Sequence, residues 1–131
     1  MNQAGQEDPD DQLVADVFAR DCTSRRTLED VAGKWGILAL TALGEGDYRF
    51  NALRRKVQGV SEKMLSQTLQ TLERDGLVTR AVHSHIPPRV EYSLTPLGEQ
   101  VATRLRGLAD LIQGSVEEVA AARVRYDEAH A

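Results

Sequence analysis

The chain contains a single cysteine in 131 residues, and one thiol can neither close an internal disulfide nor hold a zinc ion by itself. Long apolar runs are also missing. The longest, Gly36 to Leu43, spans eight residues and includes Thr41, whereas a membrane helix needs roughly 20. There is no glycine-rich phosphate loop, no His-Glu-x-x-His motif and no pairing of a nucleophile with a base, so an enzyme is not expected, nor is a cofactor or a metal. Glycine and proline together number 14, too few for a collagen-like or low-complexity chain. The stretch from Met1 to Asp11 is polar and acidic and does not resemble a signal peptide, so a cytoplasmic location with no membrane partner is expected.

What remains has globular proportions, 41% hydrophobic and 27% charged, and a length suited to one domain. The net charge of −4 is unevenly spread. Residues 1–30 carry eight acids and three bases, residues 31–95 nine bases and six acids, and residues 96–131 four bases and six acids. A modestly basic centre between acidic ends leaves room for a nucleic-acid footprint, which needs only a local basic face.

Residues 1–10 show no apolar periodicity and read as a mobile tail, leaving 11–131 as a single domain. Leu13, Val14, Val17 and Phe18 recur at helical spacing and predict a short amphipathic helix. Thr27 followed by Asp30 resembles a capping box, within a helical stretch over 24–32 that breaks near Gly33. Lys34 to Leu43 predicts a buried helix ended by the turn cluster Gly44 to Asp47. Tyr48 to Phe50 reads as a short strand, and Asn51 as the N-cap of a helix over 52–57. Ser61 caps the next helix, 62–75, with Leu65, Leu69 and Leu72 on its inner stripe and Gly76 as its stop. A hairpin over 77–94 follows, with a tip of about five residues from His83 to Pro88. Thr95 and Pro96 then open a helix over 96–122, whose apolar positions Leu97, Val101, Leu105, Leu108, Ile112, Val116 and Val119 form one continuous face. This order predicts a mainly α fold with a small β-hairpin: a winged helix-turn-helix with N- and C-terminal dimerisation helices.

From Cys22 to Thr95 the chain resembles the HxlR-type transcriptional regulators, winged-helix proteins related to the MarR type. The resemblance rests on Cys22, Gly33-Lys34-Trp35, Arg49 to Leu53, Ser61 to Leu69, Leu72 to Arg80, and Pro87 to Thr95 with Gly98. Thr23 stands where the family usually has proline, Ala32 where it has glycine, and Ala52 where it has an acid. The resemblance implies a homodimer that binds double-stranded operator DNA, most often as a repressor.

In such a fold the helix opened by Ser61 enters the major groove, so Ser61, Lys63, Met64, Ser66, Gln67 and Gln70 are the candidate DNA-contacting residues. Gln67 suits an adenine edge, and Lys63 a guanine or a phosphate. Arg49, Arg54, Arg55 and Lys56 are candidate phosphate contacts. In the wing, His85 and Arg89 are placed to reach sugar-phosphate or the minor groove. The rival reading of His83 and His85 is a metal site, for which no nearby acid or thiol stands at ligand spacing. Trp35 reads as a core anchor.

Cys22 lies before a helix start and close to Arg20, Arg25 and Arg26, which favours the reactive thiolate, while Asp21 opposes it. Some relatives sense oxidants or electrophiles through the corresponding thiol; the alternative is an inert, half-buried side chain. Leu105, Leu108, Ile112 and Val116, with Leu13, Val17 and Phe18, are the candidate dimer interface. An oxidant or a small molecule is a candidate effector. A protein- or effector-binding module that has lost DNA is the alternative function.

Overall fold

The computed structural model describes residues 16–131. Leu13 and Val14 lie outside them, so only part of the first expected helix can be placed. Residues 16–22 form successive turns instead, closed by hydrogen bonds from Ala19 N–H to the Asp16 carbonyl at 3.0 Å and from Cys22 N–H to the Ala19 carbonyl at 3.2 Å. The Asp16 carboxylate also accepts from Phe18 N–H at 3.1 Å, a local side-chain bond that competes with a helical turn.

Helix α1 (Thr23–Ala32) is capped by Cys22, whose sulfur accepts from Arg25 N–H. Thr27 is therefore not a cap. It sits inside the helix and donates to the Thr23 carbonyl at 3.0 Å. Gly33 is extended and joins α1 to α2 (Lys34–Leu43). Gly36 of α2 lies where a Cβ would overlap the Asp30 carbonyl, so the two helices cross closely only because no side chain stands there. Helix α2 is apolar on nearly every side and is the central helix, with Ala39, Leu40, Ala42 and Leu43 all buried.

Strand β1 (Tyr48–Arg49) runs straight into α3 (Phe50–Lys56). Arg49 occupies the cap position without a side-chain bond, and Asn51 is already inside the helix. The chain thus starts α3 two residues earlier than expected, because β1 pairs only through residue 49. Helix α4 (Glu62–Arg74) opens as expected, with the Ser61 hydroxyl oxygen accepting from Met64 N–H at 3.1 Å. It closes with Gly76 at φ +76, Leu77 N–H on the Leu72 carbonyl at 2.9 Å and Gly76 N–H on the Glu73 carbonyl at 3.0 Å. This is a Schellman ending, which the left-handed residue requires to be glycine.

Strands β2 (Val78–His85) and β3 (Pro88–Leu94) form the hairpin, and β1 adds to β3 to give the antiparallel order β1-β3-β2. The tip is two residues, Ile86-Pro87, rather than five. Pairing continues past a register shift between Val82 and Ser84, with Ser84 opposite Arg89 and His85 opposite Pro88. Pro88 begins its strand, where a missing N–H is tolerated. The expected single helix over 96–122 is two helices, α5 (Pro96–Gly114) and α6 (Val116–Ala129). The break falls at Ser115, whose N–H turns back to the Ile112 carbonyl at 3.0 Å and whose hydroxyl donates to the Leu111 carbonyl at 2.8 Å. Gly107 does not interrupt α5.

The core is built where α2, α3 and α4 meet, around Leu40, Leu53, Leu65, Leu69, Leu72 and Leu77, all below 2% exposed. Thr95 fastens the start of α5 to this body: its hydroxyl accepts from Gly98 N–H at 3.0 Å and donates to the Gly76 carbonyl at 2.6 Å. Gly98 is buried so tightly that a Cβ would overlap the Leu77 carbonyl.

Candidate nucleic-acid interface

The leucine stripe of α4 fixes what its other side presents. With Leu65, Leu69 and Leu72 against the core, Lys63, Met64, Gln67 and Gln70 face outward and are exposed, while Ser66 is half-buried. Ser61 is exposed, but its oxygen is engaged as the cap. One hydrophobic seam thus leaves four of the six expected side chains on this element exposed on its outer side.

A groove of about 760 Å³ opens at the start of α4, lined by Asn51, Arg54, Arg55, Gln58, Ser61 and Glu62 among others. Arg54 is partly engaged there, with its guanidinium 3.7 Å from Glu62 and its Nε donating to the Val60 carbonyl at 3.5 Å. Arg55 has no ion-pair partner among the described residues. A second depression, of about 410 Å³, lies between α3 and the wing and is lined by Arg49, Asn51, Arg55, Pro88 and Arg89. Pairing of β1 with β3, which sets Arg49 opposite Glu91, brings the three arginines together. Lys56 departs from expectation. Its ammonium lies 3.0 Å from the Glu45 carboxylate, which raises its pKa and turns it away from this surface.

His85 is exposed near the wing tip beside Ile86, which is 92% exposed. His83 is engaged with the Glu91 carboxylate at 3.0 Å. Among the described residues there is no group of three or more potential metal ligands. On the other flank of α4, a depression of about 490 Å³ is lined by Lys34, Trp35, Met64, Gln67, Thr68 and Thr71, with Glu29 and Asp30 at its edge. Trp35 is half-buried and packs against the core, as expected of an anchor, and the Lys34 ammonium lies 4.6 Å from its ring centre. At the far end of α4, one carboxylate oxygen of Asp75 is buried without a partner. Burial, and then a shared hydrogen bond with Asp30, push this carboxyl up to about 6.

Residues 30–120 match the pattern of the family described as HxlR-like helix-turn-helix. The chain belongs to that family. It is 54% identical over 107 residues to an uncharacterized HTH-type transcriptional regulator, YtfH, of Escherichia coli, covering 82% of this chain and 85% of the relative. Its structure is similar to that of the transcriptional regulator ytfH from Salmonella typhimurium, at a TM-score of 0.77 and 52% identity over 82% of this chain and 96% of the other. It is also similar to the redox regulator HypR in its reduced form, at a TM-score of 0.68 and 31% identity over 74% and 96% of the two chains. In this HxlR-like frame the chain is a helix-turn-helix transcriptional regulator and not an enzyme. The fold is a winged helix, in which α3 and α4 are the helix-turn-helix and β2–β3 is the wing.

Cys22 is 5% exposed. Its sulfur touches the Asp16 carbonyl and lies 3.1 Å from the Ser24 hydroxyl. The Ser24 hydrogen bond, opposed by burial and aided by backbone hydrogen bonds such as that from Arg25 N–H, holds the thiol below its usual pKa. The neighbouring guanidinium groups are not the cause. Arg25 reaches Glu29 and the Phe18 carbonyl, and Arg26 reaches the Asp21 carbonyl.

Of the residues expected between copies, Leu105 packs against its own core. Leu108, Ile112 and Val116 are exposed at 45%, 57% and 63%, and Val17 and Phe18 are exposed as well. Val119, already on the expected apolar face, is exposed too; Leu111, Val124 and Tyr126 extend that surface along α5 and α6 and were missed, the last two because the helix was expected to end sooner. Among the described residues no helix is long and apolar enough to cross a membrane.

Proposed function

We propose that this chain binds double-stranded operator DNA in a sequence-specific way as a homodimer, and that it represses the genes beside the operator. The observation that carries the reading is the outward face of α4: Lys63, Gln67 and Gln70 stand free of the core on a capped helix, with Arg55 beside its start and Arg49 and Arg89 in the adjoining depression between α3 and the wing. Glutamine and lysine are suited to the major-groove edges of adenine and guanine, and arginines at the rim to phosphates. Helix α6 has no buried residue of its own. A 14-residue helix with that exposure is marginal in water unless something packs on it, which supports pairing of two copies through α5 and α6. Two α4 helices would then read half-sites about 34–36 Å apart.

The test is retention of the protein's own upstream DNA in a gel shift, with wild type beside a Lys63→Ala, Gln67→Ala double variant. Wild type is expected to bind at low salt, and the double variant to lose binding while remaining dimeric by sedimentation. Equal binding by both would remove α4 from its assigned role. A wild type that retains no duplex at low salt would favour the effector- or partner-binding alternative.

We further propose that an oxidant or electrophile acts through Cys22. Support comes from its lowered thiol pKa and from the likeness to the redox regulator HypR. Diamide should change operator affinity in wild type and leave Cys22→Ser unaffected; an unchanged wild type would mark Cys22 as a structural cap.

A further inference from the structure

The turn between α2 and β1 holds a carboxylate that none of the roles above uses. Glu45 receives Lys56 of α3 on one oxygen, at 3.0 Å, and Arg106 of α5 on the other, at 2.6 Å. The Tyr48 hydroxyl adds a third contact at 3.4 Å. Glu45 and Arg106 are 61 positions apart in sequence. The network crosses open space: a cavity of about 250 Å³ is lined by Leu38, Glu45, Lys56, Gln58 and Arg106. A second cavity, of about 420 Å³, lies against the same Glu45–Arg106 pair and is lined by Thr41, Asp47, Glu99 and Thr103. The ion network is therefore a strut between the helix that carries Arg54 and Arg55 and the helix that carries the apolar dimer face.

We infer that Glu45 is a positioning residue that fixes the angle of α5 to the helix-turn-helix unit, and with it the half-site spacing that the dimer accepts. The inference rests on the dimeric, DNA-binding reading above. A carboxylate with a separate cation on each oxygen defines both a distance and a direction, which one surface pair does not. Isolated surface pairs contribute little to stability, so the effect belongs in geometry rather than in thermal stability. The Glu45 pKa is lowered, first by Lys56 and then by Arg106, consistent with a carboxylate that stays ionised between its partners.

The experiment uses the full chain and the inverted repeat recovered from the DNA it retains. Binding is measured by fluorescence anisotropy on duplexes with the natural half-site spacing, on duplexes with one or two base pairs inserted or removed at the centre, and on a single half-site. Wild type should show a sharp spacing optimum. Glu45→Gln should bind the natural spacing about tenfold more weakly, bind the single half-site within about twofold of wild type, and tolerate altered spacings better. Arg106→Gln, which breaks the strut from the other end, should behave the same way. An optimum as sharp as wild type in both variants, or an equal loss on the half-site, would overturn the inference while leaving the functional reading intact. A wild type that binds duplex without any spacing preference, or binds none, would overturn that reading and the inference together.

Discussion

The salt dependence of binding follows from which cations are unengaged. Arg49, Arg55, Lys63 and Arg89 are exposed on the proposed DNA face, and none has an ion-pair partner among the described residues. Arg54 and Lys56 are discounted because Glu62 and Glu45 hold them. Four cations per protomer give about eight phosphate contacts per dimer and, at about −0.9 per phosphate, a slope of log affinity against log salt near −7. Raising salt from about 50 to 200 mM should then weaken operator binding by about 10⁴. Arg55→Ala removes two contacts per dimer and should bring the slope to about −5.5. Arg123→Ala, an exposed position on α6, should leave it unchanged. Anisotropy titrations across that salt range measure all three. If Arg55→Ala keeps the wild-type slope, or Arg123→Ala changes it as much, the basic rim has been placed on the wrong surface.

Two further outcomes concern stability. Asp75 in the folded chain has a pKa of about 6 against an ordinary 3.8, so the fold binds this proton more tightly than the unfolded chain does. Its stabilising contribution is complete below about pH 4 and is lost as the pH rises through about 6. A fully buried carboxyl so displaced would be worth about 3 kcal/mol; Asp75 is only partly buried, and solvent screening leaves about 1 kcal/mol. Urea denaturation should therefore show wild type losing about 0.5 kcal/mol relative to Asp75→Asn between pH 5 and pH 7.5, the rest being lost already between about pH 4 and 5, and a difference that ignores pH would refute the carboxyl pair. Gly98→Ala should destabilise by about 2 kcal/mol or more, because its methyl meets the Leu77 carbonyl. Gly107→Ala, with nothing within 4 Å of its Cβ, should gain up to about 1 kcal/mol. Thermal midpoints moving in the same direction for both would contradict the packing at Gly98.

The elements that sequence reveals most directly are those with local causes. Helix α4 is legible from end to end, because Ser61 supplies a cap, three leucines supply a stripe, and Gly76 supplies the left-handed stop. Helix α2 is legible from its apolar density. The start of α1 is legible to within one residue, but its cap is not: Thr27 and Asp30 imitate a capping box, whereas the actual cap is a cysteine, an uncommon residue in that position. The split between α5 and α6 is equally hidden, since the apolar spacing runs through Ser115 unbroken and the interruption is made by backbone and hydroxyl bonds that no periodicity records. Proline near the hairpin tip suggested a loop, while cross-strand pairing carried the strands to its edge. For the interface, the α4 side chains could be named from one helix alone. The meeting of Arg49, Arg55 and Arg89 needs the β1–β3 pairing, and the removal of Lys56 needs a partner 11 residues away in the turn after α2.

The root of the hairpin has an architectural consequence. The Thr95 hydroxyl reaches the Gly76 carbonyl, and Gly98 lies on Leu77, so the chain leaves the end of α4 and returns to the same spot before α5 begins. Everything between is a closed excursion. Its reach and chemistry can change, by added residue pairs or by a new tip in place of Ile86-Pro87, without altering how α4 sits relative to α5. Under the proposed DNA-binding role, variation in what the wing touches beyond the major groove could thus accumulate in this appendage while the distance between two paired α4 helices stays constant.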